Sequence, residues 1–255
     1  MLFNWACRRG HVAPMFWQVR ELTFPKSPPQ PKFQTWKQIE ARIARGGLSH
    51  AETSSLWECL LLDTKQILEC LAWVRDHASH PFIPPMIALA AYTGASRGEI
   101  LRSQRDDFDF EARTVLPRQK KSDKSRTYTT QLVPLHSDLN AVMTAWFHEA
   151  PSSSWTICTS DGRQIGERMA TKYFRCAVDG SKWKVLHGFH IFRHSLASIL
   201  ASKGKDQREI DVILGHSTEE MVRRYRHLFS ERQKDAFNSG SSGGSVLAHR
   251  LSKFL

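Results

Sequence analysis

Three short clusters in the last third of this 255-residue chain hold side chains able to grip phosphate and move protons. His190-Ile191-Phe192-Arg193 sets a histidine and an arginine three apart, hence on one helical face, with Phe189, Phe192 and Leu196 on the buried side. The planar guanidinium fork matches two phosphate oxygens, and an imidazole changes charge near neutrality. Leu214-Gly215-His216 follows, a sharp turn permitted by glycine and then a second histidine. Ser217 and Glu220 have capping-box spacing, so a helix begins just after His216. Tyr225 lies about two turns into it, on the stripe of Met221, Leu228 and Phe229. Each piece also has a plain structural reading: a histidine and an arginine on a solvated helix face, a helix-ending glycine, a core tyrosine. Residues 208–217 with the basic helix after them fit a helix-turn-helix DNA reader as well. Asp106, Asp107 and Asp109 have the residue types of a metal nuclease, but they stand at a strand entry with no distant third acid.

Regular elements must position these clusters. Trp36, Ile39 and Ile43 share a helical face that Gly46-Gly47 ends. Ser49 to Glu52 and Asp63 to Gln66 have capping-box spacing. Pro81, Pro84 and Pro85 break the chain before a buried helix over 86–92 that ends near Thr93-Gly94. Between 105 and 136 the period changes to two, and residues 108–110, 113–116 and 128–133 read as short antiparallel strands. A basic loop, residues 120–126, joins the last two. Helical patterns resume at Leu139. The expected class is α+β, mostly helical, with one small antiparallel three-stranded sheet.

The domain boundaries follow from composition. Residues 1–23 are too apolar for a tail and too few for a domain. Residues 24–35, rich in proline, read as a semi-rigid linker. Residues 36–238 make the main domain, and 239–255 a Gly/Ser linker with a weakly amphipathic tail. A start site inside a longer gene would produce this pattern. Lys and Arg number 36 against 25 Asp and Glu, a net charge of +11, which points to a polyanionic partner. No run of about 18 apolar residues exists, which excludes a membrane-spanning helix. The N-terminus lacks the charged and apolar regions of a secretion signal. Five cysteines without a CxxC pair suggest neither a disulfide framework nor a zinc site, so a cytoplasmic location is expected.

Taken together, His190-x-x-Arg193, Leu214-Gly215-His216 and a tyrosine nine residues on resemble the tyrosine recombinase, or phage integrase, family. Thr93-Gly94-Ala95-Ser96-Arg97-Gly98-Glu99-Ile100 is similar to its first catalytic box, and the resemblance runs over about residues 36–237. It implies a site-specific recombinase that cleaves and rejoins double-stranded DNA through a 3′-phosphotyrosyl intermediate, with no metal or other cofactor, acting as a homotetramer on DNA. Residues 1–23 resemble the last helix of the family's preceding core-binding domain. Tyr225 would be the nucleophile and Arg193 a phosphate ligand, while His190 would move the tyrosine proton. His216 would donate to a nonbridging oxygen. Lys121 would protonate the leaving 5′ oxygen, with Lys120 and Lys124 as rivals. One departure stands out. Counting back three from Glu99 gives Ser96 where the family has its first arginine, and Arg97 comes one place late. One helical residue is about 100° of rotation, so Arg97 would miss that place unless the helix starts late. A catalytically weakened relic that only binds DNA is the alternative reading.

Overall fold

The computed structural model describes residues 7, 9–11, 32–116, 118–120, 128–130 and 133–214. The chain divides into two compact units, residues 1–31 and 32–255. In the first, the Gly10 amide donates to the Cys7 carbonyl at 3.2 Å.

The second unit runs β1 (Gln34–Thr35), α1 (Trp36–Ala44), α2 (His50–Glu58), β2 (Leu60–Leu61), α3 (Thr64–His77), α4 (Ile83–Thr93) and α5 (Arg97–Arg102). There follow β3 (Phe108–Asp109), β4 (Thr114–Val115), β5 (Arg118–Lys120), β6 (Tyr128–Thr130) and β7 (Val133–Pro134). The chain then becomes helical again, through α6 (Ser137–Glu149), α7 (Glu167–Val178), α8 (His190–Ser202) and α9 (Gln207–Leu214). Both expected capping boxes close. The Glu52 amide donates to Ser49 Oγ at 3.2 Å and the Gln66 amide to Asp63 Oδ1 at 2.8 Å, while each N3 side chain accepts from the cap amide in return.

The centre of the unit is α4. Nearly every residue from Ile83 to Thr93 is buried, and α3, α5, α6, α7 and α8 pack around it. Pro84 and Pro85, expected to break the chain, instead fall in the first turn of α4. Their missing N–H groups cost nothing there, because the first amides of a helix have no partner within it. Gly94 ends the helix in the left-handed region, φ +66°.

The fold class is α+β and mostly helical, as expected, but the strands differ in detail. The three-stranded antiparallel sheet is β3-β4-β7, so its third strand is Val133–Pro134. Residues 118–120 and 128–130 pair separately as a two-stranded hairpin. A parallel pair, β1 with β2, was not anticipated. Phe33 to Thr35, expected within the linker on composition, belong to the second unit; residues 24–31 lie outside the described residues. Phe33 is buried, with its ring 4.6 Å from that of His194 on α8. It joins Cys59, Leu61, Ala197, Leu200, Ala201, Ile210 and Leu214 in a second apolar cluster beside the main core. Directly after β2, the Leu62 amide donates to the buried Ser195 Oγ at 2.9 Å, and that hydroxyl donates back to the Ile191 carbonyl at 2.7 Å. One hydroxyl thus satisfies a backbone amide that burial would otherwise leave unpaired. Two of the three acids are structural: Asp107 Oδ2 accepts from the Gln104 amide and Asp109 Oδ1 from the Ala112 amide. Among the described residues no helix is long and apolar enough to cross a membrane.

Candidate active site

α8 begins at His190, immediately after Gly188 and Phe189. Phe192, the third residue of the helix, is completely buried, which fixes the rotation of α8. His190 stands exposed at the first helical position, with Arg193 one turn below on the same face. The Arg193 side chain is only 12% exposed. Its Nη1 donates to the Gly94 carbonyl at 2.9 Å and reaches Glu99 Oε2 at 3.4 Å, while Nη2 donates to the Leu214 carbonyl. The arginine therefore ties together the end of α4, the start of α5 and the last residue of α9.

Glu99 has a second role. Its Oε2 accepts from the Ser96 amide at 2.6 Å, and Ser96 Oγ accepts from the Glu99 amide at 3.3 Å. Residue 96 is therefore the N-cap of α5, in extended backbone (φ −68°, ψ 157°), and Arg97 is the first helical residue. The helical rotation separating residues 96 and 97 does not apply across a cap, and Arg97 is not turned away as the spacing argument expects. It reaches α7, where Nη1 donates to Thr171 Oγ1 at 2.8 Å and Nη2 to Glu167 Oε2 at 2.6 Å.

Ser96, Arg97, Gly98, Thr171, Gly188, His190 and Arg193 are among the residues lining one cavity of about 370 Å³. Two guanidinium groups and an imidazole from two helices, α5 and α8, thus share a concave, polar hollow, each guanidinium backed by its own carboxylate. Such an arrangement can receive a phosphate and stabilise charge that builds on its oxygens. His187 and His190 also line a neighbouring hollow of about 650 Å³ with Glu58, Arg175 and Lys184. Of the residues singled out from sequence, the structure brings together His190, Arg193 and Arg97. Lys121, Lys124, His216 and Tyr225 lie outside the described residues; Lys120 is the last residue of β5. Sequence reasoning missed Glu167 and Thr171. They stand one helical turn apart on α7, but nothing local to Arg97 announces partners some seventy residues away.

Residues 61–232 match the model of the phage integrase family, and the chain belongs to that family. Over 95 residues it is 30% identical to transposase B from transposon Tn554 of Staphylococcus aureus, a match covering 35% of this chain and 15% of the transposase. Over 163 residues it is 26% identical to tyrosine recombinase XerA of Thermococcus kodakarensis, covering 60% of this chain and 56% of the relative. The chain thus spans about half, or much less, of the length of these relatives. Among solved structures, the fold is similar to that of a XerA recombinase, with a TM-score of 0.55 at 14% identity, covering 82% of each chain. It is also similar to XerH site-specific recombinase bound to difH substrate, with a TM-score of 0.53 at 18% identity, covering 75% of this chain and 66% of that one.

Proposed function

We propose that this chain cleaves and rejoins double-stranded DNA as a tyrosine recombinase, with Tyr225 attacking the scissile phosphate to form a 3′-phosphotyrosyl link. The observation that carries the reading is the shared cavity of Arg97, His190 and Arg193, in a chain whose family match extends past Tyr225. In-line attack at phosphorus loads the nonbridging oxygens with charge. Arg193 meets it with two donors in a fixed fork, and Arg97 supplies the second guanidinium that residue 96 lacks. His190 takes the proton of the tyrosine hydroxyl, while His216 donates to a nonbridging oxygen. Lys121, in the basic stretch of residues 120–126, protonates the departing 5′ oxygen. The nucleophile is a side chain and not a water, so the step has no need of a metal to generate hydroxide. The bond energy is kept in the phosphotyrosine, and attack by a 5′ hydroxyl reverses the reaction. Strand exchange needs two duplexes and four such centres, hence a tetramer on DNA.

The test is a pool of randomised nicked duplexes in which the 5′-hydroxyl fragment diffuses away and traps the covalent complex. The expected result is a protein–DNA adduct abolished by Tyr225→Phe with binding retained. Arg97→Ala should lower the adduct at least about tenfold, and Ser96→Arg should restore it in that background. If binding persists but no variant forms an adduct, the cleavage reading fails and a DNA-binding relic stands in its place.

A further inference from the structure

We propose that Glu167 and Thr171 on α7 are positioning residues that hold the Arg97 guanidinium ready for a phosphate in the cavity lined by His190 and Arg193; this rests on the reading of Arg97 above.

Arg97 has five N–H donors. Thr171 Oγ1 takes one from Nη1 at 2.8 Å and Glu167 Oε2 one from Nη2 at 2.6 Å. Nε is buried with no hydrogen-bond partner. One N–H remains on each terminal nitrogen, on a side chain that is 40% exposed and lines the cavity. An arginine with four free torsions would otherwise lose much rotamer freedom on meeting a phosphate. Two anchors one turn apart on a packed helix meet that loss during folding instead. Both anchors are themselves held. The Thr171 hydroxyl donates to the Glu167 carbonyl at 3.0 Å, which directs its lone pairs outward to Arg97. Glu167 is the first residue of α7, where the helix dipole favours a carboxylate.

The opposite role, sequestration of Arg97 by Glu167, is disfavoured by exposure. Glu167 is 63% exposed, and an ion pair so solvated is weak. An incoming phosphate gains charge-assisted bonds without having to break a strong one. Glu99 serves Arg193 in a parallel way, but from a site where both partners are 12% exposed.

Inorganic phosphate binding to the full chain, measured by calorimetry, tests this independently of cleavage. Glu167→Ala is expected to weaken binding roughly two- to fivefold, Glu167→Gln to recover part of it through its carboxamide oxygen, and Thr171→Val to act in the same direction. Glu167→Ala should add nothing in the Arg97→Ala background, while the unfolding temperature of each variant stays near that of the parent. No measurable phosphate binding by the parent, binding by Glu167→Ala as tight or tighter, or additive losses in the double variant would each overturn the proposal. Phosphate binding that follows this pattern in a chain forming no DNA adduct would instead sink the cleavage reading alone.

Discussion

At residue 96 the chain carries a hydroxyl, and that choice organises the neighbourhood. A serine there caps α5, its partner Glu99 braces Arg193, and the adjacent Arg97 becomes free to cross to α7. The same region has no room to spare. Gly94 has φ +66°, and a Cβ built on it would stand 2.5 Å from Leu214 Cδ2 and 3.1 Å from Leu196 Cδ2. Gly94→Ala should therefore cost about 1–3 kcal/mol from backbone strain and overpacking combined. In thermal unfolding this is a midpoint drop of roughly 3–10 °C; an unchanged midpoint would mean that the end of α9 does not rest on this turn. The histidine and arginine of α8 were legible because three-residue spacing fixes a shared face wherever a helix forms. The Arg97 partnership was not, since a single sequence holds no record of which distant side chains meet. The cap at Ser96 was the one local clue: serine followed three residues later by glutamate has the spacing that ends an extended segment and starts a helix.

Among the elements, α6 offers a titration test. Its N-cap is His136, whose Nδ1 accepts from the Asp138 amide at 3.2 Å and whose ring stacks on Tyr92 at 4.9 Å. Burial first, and Lys203 to a lesser degree, hold this imidazole below the ordinary value of 6.5 despite the opposing charge of Asp138. The native state then binds fewer protons than the unfolded chain in mildly acid solution. Its contribution to stability is complete above pH about 6.5 and is lost as pH falls toward and through the native value. His136→Asn keeps an acceptor for the Asp138 amide but removes the titration. Between pH 8 and pH 5 its unfolding midpoint should fall less than that of the parent; an equal fall would assign the acid sensitivity elsewhere. The helices were readable because their caps and apolar faces are local signals. The β1–β2 pair was hidden for the converse reason: two-residue strands have no period to detect, and parallel partners are distant in sequence. Likewise Val133–Pro134 closes the three-stranded sheet because a separate hairpin uses the residues before it, a choice of register that alternation alone does not fix.

For the whole molecule, the net charge of +11 sets the expectation for DNA. Each neutralised phosphate contributes about −0.9 to the slope of log affinity against log salt, so engagement of about five phosphates gives a slope of roughly −4 to −5. Fluorescence anisotropy from 50 to 300 mM salt, conditions set by the experimenter, measures it; a slope shallower than about −2 would mean that the basic surface is not directed at the duplex. The place of Phe33 within the second unit also couples the two ends of that unit. Its ring shares an apolar cluster with Leu200 and Leu214, so shortening the chain past residue 33 would loosen α8 and α9, the far end of the described chain, before it disturbed α1.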